Sequence, residues 1–198
     1  MIVSENDLAK LIIEGLASRP ENYPVKMEAT SIGLHLGAEF LRYKNIRGPV
    51  PLPSALDTER IPVNQDGAID FSPGACVLAC SLERIRMPLG CMGFIQTKGT
   101  IARGFVTVHL CDGQIDPGFE GRITLELVNL SHLQYVLKPG IEIAQLYVHR
   151  LTQVLKQGYS GRYQFASGPT AMRDVSPPAE PTDAPNTGSA GAPPVSGS

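Results

Sequence analysis

The sequence predicts an all-β domain, built as a barrel or a sandwich, that follows one short N-terminal helix. Short β-type runs such as GFVTVHL and GRITLELVNL alternate with segments rich in glycine and proline, and this rhythm is typical of such folds. The connections are too short, and too rich in these two residues, to hold the helical crossovers of a parallel α/β sheet. With 198 residues, the chain has the length of one domain with one substantial core.

The N-terminal helix is predicted from the stretch MIVSENDLAKLIIEGL. Apolar residues recur at helical spacing between Leu8 and Leu16. Ser4 and Asp7 resemble a capping pair, in which a side-chain oxygen accepts a hydrogen bond from a free backbone N–H of the first turn. The charged residues of this stretch argue against a signal peptide, whose central region is uncharged.

After the helix, short apolar runs bounded by glycine and proline predict the strands. In chain order these runs are SIGLHLG, ACVLACSLERI, CMGFIQT, GFVTVHL, GRITLELVNL, QYVLKPG and IEIAQLYVHRL. From about Val175 onward the sequence has almost no large apolar residue, and such a segment cannot offset the entropy of ordering itself. We therefore expect a β domain over residues 1–174 and a disordered tail over residues 175–198.

The composition of the chain excludes some classes of function. A formal net charge of -2 supplies no basic field for gripping a nucleic-acid polymer, although a local cluster could hold a small phosphate ligand. The cysteines lack the paired CxxC spacing of a structural zinc site, so we expect buried free thiols. No apolar run approaches the length of a membrane span, and a reducing, cytoplasmic location is expected. The cysteines are Cys76, Cys80, Cys91 and Cys111.

Glu126 lies within the predicted strand RITLELVN. Alternation along a strand places it on the face opposite to Leu125 and Leu127, together with Thr124 and Val128. One interpretation is a half-exposed antiparallel strand whose polar face lies in water. The other is a carboxylate that works in an active site, and the spacing alone leaves both open.

Asp116 precedes Pro117 and Gly118 in the stretch QIDPGFEG. This order fits a tight turn with proline at its second position and glycine at its third, because glycine readily adopts positive φ. Asp116 either caps its own turn through backbone hydrogen bonds or contributes to a site. The pattern favours neither.

Motifs in a fixed order resemble the dCTP deaminase branch of the trimeric dUTPase superfamily. They read GFIQTKGTIARGFVTVHL, QIDPGFEGRITLELVN, LKPGIEIAQLYVHRL and GYSGRYQFASGPTAMR, and the segments MIVSENDLAKLIIEG and ATSIGLHLG are similar to that family as well. The resemblance covers nearly the whole chain up to Arg173. It implies a distorted jelly-roll or β-barrel of the dUTPase-like (β-clip) type. It also implies a homotrimer in which the DPGF turn and the KGTIAR segment of one active site come from different chains.

The resemblance implies a catalytic pair, Glu126 and Arg103. Deamination of cytosine needs a nucleophilic water beside C4 and protons for N3 and for the departing ammonia, and one carboxylate that alternates between base and acid can serve these steps. Glu126 matches that carboxylate, and Arg103 matches the arginine that positions it and the water. The HxE and PCxxC patterns of zinc deaminases are missing. We therefore expect no zinc, with Mg²⁺ carried by the nucleotide triphosphate.

Further matches imply a pocket for the deoxyribose. Asp116 matches an aspartate that accepts a hydrogen bond from the 3'-hydroxyl, and in members that also hydrolyse the triphosphate it helps to activate the attacking water. Phe119 would pack on the sugar and exclude a 2'-hydroxyl, although an ordinary core aromatic is an equal alternative. Gln114 and Asp112 are also expected to contact the nucleotide. Asp112 before Gly113 is more simply a turn residue.

The phosphates are expected to meet two segments. Lys98, Gly99 and Thr100 would form a one-turn helix that aims N–H groups at phosphate, while a solvated loop lysine is the simpler alternative. The C-terminal segment 159–173 would close over the nucleotide. Its matching residues are Tyr159, Arg162, Tyr163 and Gln164, with arginine in place of the usual lysine.

Departures from the family pattern keep several functions open. Lys98, Gly99 and Thr100 stand where the family reads RSS, and Gly99 lacks a hydroxyl that helps to hold the nucleophilic water. Gly33 stands where relatives usually carry aspartate. We expect deamination of dCTP to dUTP and ammonia in pyrimidine deoxynucleotide metabolism. The alternatives are dUTP diphosphatase activity, alone or coupled, a nucleotide-binding regulator without turnover, and a β domain without ligand.

Overall fold

The computed structural model describes residues 1–20 and 24–173. The predicted tail 175–198 lies outside the described residues, so the domain boundary at residue 174 stays a prediction. The elements are α1 (Glu5–Ile13), β1 (Ala17–Ser18), β2 (Ile32–His35), β3 (Leu41–Tyr43), β4 (Thr58–Arg60), β5 (Ile69–Phe71), β6 (Cys76–Arg86), β7 (Cys91–Thr97), α2 (Gly99–Ala102), β8 (Val106–Thr107), β9 (Gln114–Ile115), β10 (Glu120–Asn129), β11 (Tyr135–Leu137) and β12 (Glu142–Arg150).

The strands form two main antiparallel sheets and a two-stranded ribbon. The first sheet has the order β4-β3-β6-β10-β8, with β1 also paired to β6, and the second has the order β2-β12-β7-β9. The ribbon is β11-β5. Fully buried side chains from both sheets, such as Leu125 and Leu146, belong to one hydrophobic core. The predicted mainly β fold with a short N-terminal helix is confirmed.

The N-terminal helix forms as predicted, but its predicted capping pair is wrong. Ser4 occupies the N-cap position with extended backbone, and its side chain makes no capping hydrogen bond. The Asp7 carboxylate instead accepts a hydrogen bond from Arg150 at 3.0 Å. Residues 1–3 pair with the end of β12, and this pairing brings the first turn of the helix next to Arg150. Leu8 anchors the helix in the core.

Strand β10 carries the side-chain alternation that the sequence predicts. Leu125 and Leu127 are fully buried, whereas Thr124 and Glu126 are partly exposed. Antiparallel pairing with β6 runs along nearly the whole strand, with a register shift between Arg122 and Thr124. The central position of β10 in its sheet fixes the direction in which the Glu126 side chain points.

The cysteines are free, but only two of them are buried. Cys80 and Cys91 lie in the core, and burial raises the pKa of both thiols. Cys76 and Cys111 are exposed, so the prediction of buried thiols is wrong for this pair. Cys76 begins β6 and Cys111 lies in the loop before β9, where the core does not reach.

The described part of the chain holds neither a metal-ligand cluster nor a membrane-spanning helix. Within residues 1–20 and 24–173, no group of three or more His, Cys, Asp or Glu side chains is arranged to hold a metal ion. In the same ranges, no helix has the length and apolar character needed to cross a membrane.

Candidate active site

A cleft of about 510 Å³ lies along the polar face of β10. Its walls are β10, the turn that precedes this strand, and the C-terminal residues 159–173, which we call the closing segment. The cleft brings together most of the predicted site residues from the middle and the end of the sequence. These are Asp112, Gln114, Asp116, Phe119, Glu126, Tyr159 and Tyr163.

Glu126 belongs to the wall of this cleft. Its backbone N–H donates to the Val108 carbonyl at 2.8 Å, and it pairs with Leu78 of β6 on the other side. The strand is therefore fixed on both edges, and the partly exposed carboxylate points into the cleft. The closing segment contacts this face of the strand through the Thr124–Thr170 hydrogen bond, while Glu126 itself stays partly exposed. The face that carries Glu126 therefore lines a cleft, and the role of the carboxylate in a reaction stays a prediction.

The turn before β10 has the predicted form. The Phe119 N–H donates to the Asp116 carbonyl at 3.1 Å, and Gly118 has φ of +84°. A Cβ atom on Gly118 would also lie 2.7 Å from the Gly158 Cα. Positive φ and close approach of the backbone both require glycine at this position.

The Asp116 carboxylate does not cap its own turn. One of its oxygens accepts a hydrogen bond from the Gln114 side-chain amide at 2.7 Å. Asp112 acts as the simpler interpretation predicts, since its carboxylate accepts the Gln114 N–H at 3.1 Å. Both carboxylates nevertheless line the cleft beside Glu126. The wall of the cleft therefore carries three carboxylates, those of Asp112, Asp116 and Glu126.

Phe119 belongs to the core and also lines the cleft. Its side chain is 8% exposed and belongs to the hydrophobic core. One side of the ring still faces the cleft, where it meets Tyr159 with ring centroids 6.0 Å apart. These two rings form an apolar corner next to the Asp116 turn.

The closing segment is fastened to the start of β10 by backbone hydrogen bonds. Tyr159 N–H donates to Pro117 O at 2.7 Å, and Arg122 N–H donates to Ala166 O at 2.8 Å. Between these contacts the Gln164 side chain lies beside the turn, where its amide nitrogen donates to the Gly118 carbonyl at 2.9 Å. The segment therefore covers the cleft of its own chain.

Sequence reasoning missed several residues of the cleft. Thr124 and Thr170 join their hydroxyl groups at 2.8 Å across it, and the Tyr43 hydroxyl accepts the Met172 N–H at 2.8 Å. Arg122 lines the same wall. Thr124 shares the strand face of Glu126, so alternation alone could have identified it. The others meet only through the tertiary fold, and no local pattern signals them.

A second, polar cleft of about 440 Å³ lies against the closing segment. Arg162 lines it together with Arg60 and Arg173. Arg173 donates to the Arg162 carbonyl at 2.7 Å and stacks over the Tyr163 ring at 5.7 Å. Arg162 is therefore in the closing segment as predicted, but it lines a different cleft from that of Glu126.

The remaining predicted residues form a separate surface. The predicted one-turn helix is present as α2, and the carbonyl of Lys98 accepts the N–H groups of Ile101 and Ala102 at 2.8 and 2.9 Å. Arg103 ends this helix and is exposed, with its Nη1 donating to the Gly99 carbonyl at 2.9 Å. Neither Arg103 nor Lys98, Gly99 and Thr100 lines the Glu126 cleft of the same chain.

Lys98 is not the solvated loop lysine of the simpler interpretation. Its ammonium group lies 2.7 Å from Glu142 and 3.5 Å from Glu28. The hydrogen bond to Glu142 is the main cause that raises the pKa of Lys98 above its ordinary value. Burial pushes the pKa of Glu142 upward, but hydrogen bonds from Lys26 and Lys98 outweigh it and hold that pKa below its ordinary value.

The fold resembles a solved nucleotide deaminase. The crystal structure of 2'-deoxycytidine 5'-triphosphate deaminase from Agrobacterium tumefaciens superposes with a TM-score of 0.58 and 15% sequence identity, over 75% of this chain and 47% of that chain. At this identity the likeness concerns the fold alone. It confirms the predicted fold class, a β-barrel of the kind found in the dCTP deaminase branch.

The sequence defines the family. Residues 2–163 match the dCTP deaminase-like family model. The chain is 31% identical over 184 residues to dCTP deaminase of Haloarcula marismortui, covering 87% of this chain and 94% of that protein. It is 32% identical over 185 residues to the dUMP-forming dCTP deaminase of Halobacterium salinarum, with the same coverage. The chain therefore belongs to the dCTP deaminase-like family.

Proposed function

We propose that the protein deaminates dCTP by hydrolysis. The observation that carries the proposal is the position of Glu126, whose carboxylate faces a nucleotide-sized cleft beside the Asp116 turn. The similarity of the chain to dCTP deaminases over most of its length supports the same reaction. A cytoplasmic location, inferred from the composition, accompanies this proposal.

Glu126 serves as the acid and base of the reaction. It takes a proton from a water molecule, whose oxygen forms a bond to C4 of the cytosine while N3 accepts a proton. The C4–N bond then breaks, the amino group leaves as ammonia with a further proton, and C4 keeps the oxygen as a carbonyl. Such a step needs a base and an acid at one place, and a single carboxylate can alternate between them. No metal ion acts on the base in this scheme.

Arg103 enters the site from a neighbouring copy of the chain, in a homotrimer. It is exposed on α2, outside the Glu126 cleft of its own chain. Exposed apolar side chains lie close by, since Phe105 is 67% and Leu130 is 62% exposed, and the two are joined by a backbone hydrogen bond of 2.8 Å. Association of copies would bury this apolar surface and deliver the arginine.

The substrate is the magnesium complex of the nucleotide, with Mg²⁺ bound by the triphosphate oxygens. The Asp116 carboxylate accepts a hydrogen bond from the 3'-hydroxyl. Phe119 and Tyr159 pack on the deoxyribose and leave no place for a 2'-hydroxyl. Arg162 and Gln164 of the closing segment complete the binding. The segment must open for the substrate to enter, because it covers the cleft in the closed form.

The experiment is an ammonia assay with purified protein, dCTP and Mg²⁺. Glu126→Gln should lower the rate by about 100-fold or more, since general acid–base catalysis contributes that much, and it should keep nucleotide binding. The matched control is Glu59→Gln, an exposed carboxylate paired with Arg42 at 2.7 Å. Full ammonia release by the Glu126 variant would refute the assignment. Binding of dCTP without turnover by the native protein would favour the regulator instead.

A coupled reaction that ends in dUMP is the second candidate. Asp116 lines the cleft next to the closing segment, and the relative from Halobacterium salinarum is named dUMP-forming. The second step would add water to the triphosphate and release pyrophosphate. Pyrophosphate released in step with ammonia would identify the coupled enzyme, whereas ammonia with intact dUTP would identify the simple deaminase. Asp116→Asn should then stop pyrophosphate release more strongly than ammonia release.

A further inference from the structure

Lys98 fastens the start of α2 to β12 at two points. Its backbone N–H donates to the Ile143 carbonyl at 2.9 Å. Its side-chain ammonium lies 2.7 Å from the carboxylate of Glu142, the preceding residue of the same strand. The backbone and the side chain of Lys98 are thus held by adjacent residues of β12, and Lys98 has little freedom to rotate.

The contact with Glu142 belongs to a cluster of two lysines and two carboxylates. Glu28 lies 3.5 Å from Lys98 and is itself held by the Gln145 amide at 2.6 Å. Lys26 pairs with both carboxylates. The side chains of Lys98 and Glu142 are only 24% and 12% exposed. Their attraction is therefore less screened by water than that of a surface ion pair.

Gly33 makes room for the Glu142 carboxylate. A Cβ atom on Gly33 would lie 2.7 Å from the nearer oxygen of Glu142. The departure from the family pattern at Gly33 therefore has a physical consequence in this chain. A side chain at position 33 would displace this carboxylate oxygen, which is the one that faces Lys98.

The anchored residue controls the geometry of the predicted catalytic arginine. The Lys98 carbonyl accepts the N–H groups of Ile101 and Ala102, which close the single turn of α2. Arg103 follows at once, and both its backbone N–H and its Nη1 bind the Gly99 carbonyl at 3.2 and 2.9 Å. The direction of Arg103 therefore depends on a turn that Lys98 starts.

We propose that Glu142 is a positioning residue that acts through Lys98: the ion pair fixes α2 and so orients Arg103, and Lys98 does not contact phosphate. This inference rests on the proposed function for its kinetic consequences. It replaces the predicted phosphate contact of Lys98. An ammonium group that moved to phosphate would leave Glu142 and Glu28 with Lys26 alone. The partly buried Glu142 carboxylate would then lose one of its two ammonium partners, the one that lies 2.7 Å away.

The kinetic test compares Glu142→Gln, Lys98→Met and the double variant in the ammonia assay. Each single variant should lower kcat by about 10- to 100-fold, because a misplaced group costs that much, and should change KM for dCTP by less than about threefold. The double variant should be no slower than Lys98→Met, since Glu142 acts only through Lys98. Gly33→Ala should lower kcat in the same direction. Asp7→Asn, which breaks the exposed pair with Arg150, is the control.

A direct phosphate contact gives a different pattern. Lys98→Met would then raise KM with kcat retained, and Glu142→Gln would leave kcat unchanged; either result overturns the inference. Hydrogen exchange followed by NMR gives a readout without turnover. In Glu142→Gln the amides of Ile101 and Ala102 should exchange at least about tenfold faster, while Leu125 in β10 keeps its rate. If the native protein releases no ammonia, the proposed function fails, and unchanged exchange at these amides would separately refute the positioning role.

Discussion

Gln164 holds the Gly118 carbonyl and the Glu120 N–H with one side-chain amide, at 2.9 and 3.0 Å. These two backbone groups flank Phe119 at the end of the turn before β10. The closing segment is thereby joined to the same turn that carries Asp116. Movement of the closing segment away from the cleft would therefore break both of these hydrogen bonds to the turn.

Gln164→Ala should weaken nucleotide binding with little effect on chemistry. Loss of two hydrogen bonds, each worth about 1 kcal/mol, corresponds to an increase of about 10-fold or more in KM for dCTP. We expect kcat to change much less, because Glu126 keeps its place in β10. Steady-state kinetics measure both constants. Gln153→Ala, at an exposed position before the closing segment, should match the native enzyme, and an unchanged KM in Gln164→Ala would show that the contact does not serve closure.

Gly118→Ala should destabilise the fold more than Gly140→Ala. Gly118 and Gly140 have the same φ of +84°, but only at Gly118 would a Cβ atom meet the backbone, at 2.7 Å from the Gly158 Cα. In both variants, holding alanine in the left-handed conformation lowers the free energy of unfolding by about 1 kcal/mol. The forced contact should destabilise Gly118→Ala by about 1 to 3 kcal/mol more. Urea unfolding of both variants checks this, and equal losses would mean that the turn simply moves away from residue 158.

Local features of the site could be predicted from the sequence because short-range geometry dictates them. The Asp116 turn follows from the Pro117–Gly118 pair, and the face of β10 that carries Glu126 follows from strand alternation. The one-turn helix at Gly99 also forms where the motif predicts it. In each case a few consecutive residues carry the whole signal.

Contacts between distant segments could not be predicted in this way. Lys98 meets Glu142, and Thr124 meets Thr170, only after the sheets have assembled. The exposure of Cys111 likewise depends on where the core ends, not on its neighbours in sequence. Short strands such as β3 and β9 were missed because they are held by pairing with longer strands and have little pattern of their own.

Gly99→Ser should accelerate ammonia release. The new Cβ would lie 3.2 Å from Arg103 Nη1, which is the mobile end of a side chain and can yield. The hydroxyl restores the group that holds water in the family pattern, and one such donor is worth about 10-fold or more. The ammonia assay measures the effect. Gly99→Ala adds the same carbon without the hydroxyl and should give no gain; a serine variant no faster than the alanine variant would refute the explanation.

Glu142→Gln should alter how stability depends on pH. The pKa of Glu142 in the folded protein lies below its ordinary value of 4.5. The ionised carboxylate therefore stabilises the fold above pH 4.5, and this contribution is lost as the pH falls through the folded-state pKa. The pKa of Lys98 lies above 10.5, so its contribution is present below that pH and is lost only as the pH rises beyond it. The variant should be less stable at neutral pH by about 1 to 3 kcal/mol.

The difference in the free energy of unfolding between native protein and variant should shrink below pH 4.5. Urea unfolding at neutral and acidic pH measures it. Glu59→Gln removes a pair whose side chains are 43% and 56% exposed, and it should give a small difference throughout. A deficit in Glu142→Gln that does not vary with pH would contradict the ion pairs of Glu142 with Lys26 and Lys98.

The most direct measurement asks whether Glu126 and Arg103 of different chains share one site. Glu126→Gln and Arg103→Ala, each inactive alone, are expressed together with different tags, and assemblies that carry both tags are purified. In a trimer with sites between neighbours, every mixed assembly holds one site with both native residues. It should therefore release ammonia at about one third of the native rate. Mixed assemblies as inactive as their parents, or a failure of the two chains to assemble, would contradict the account.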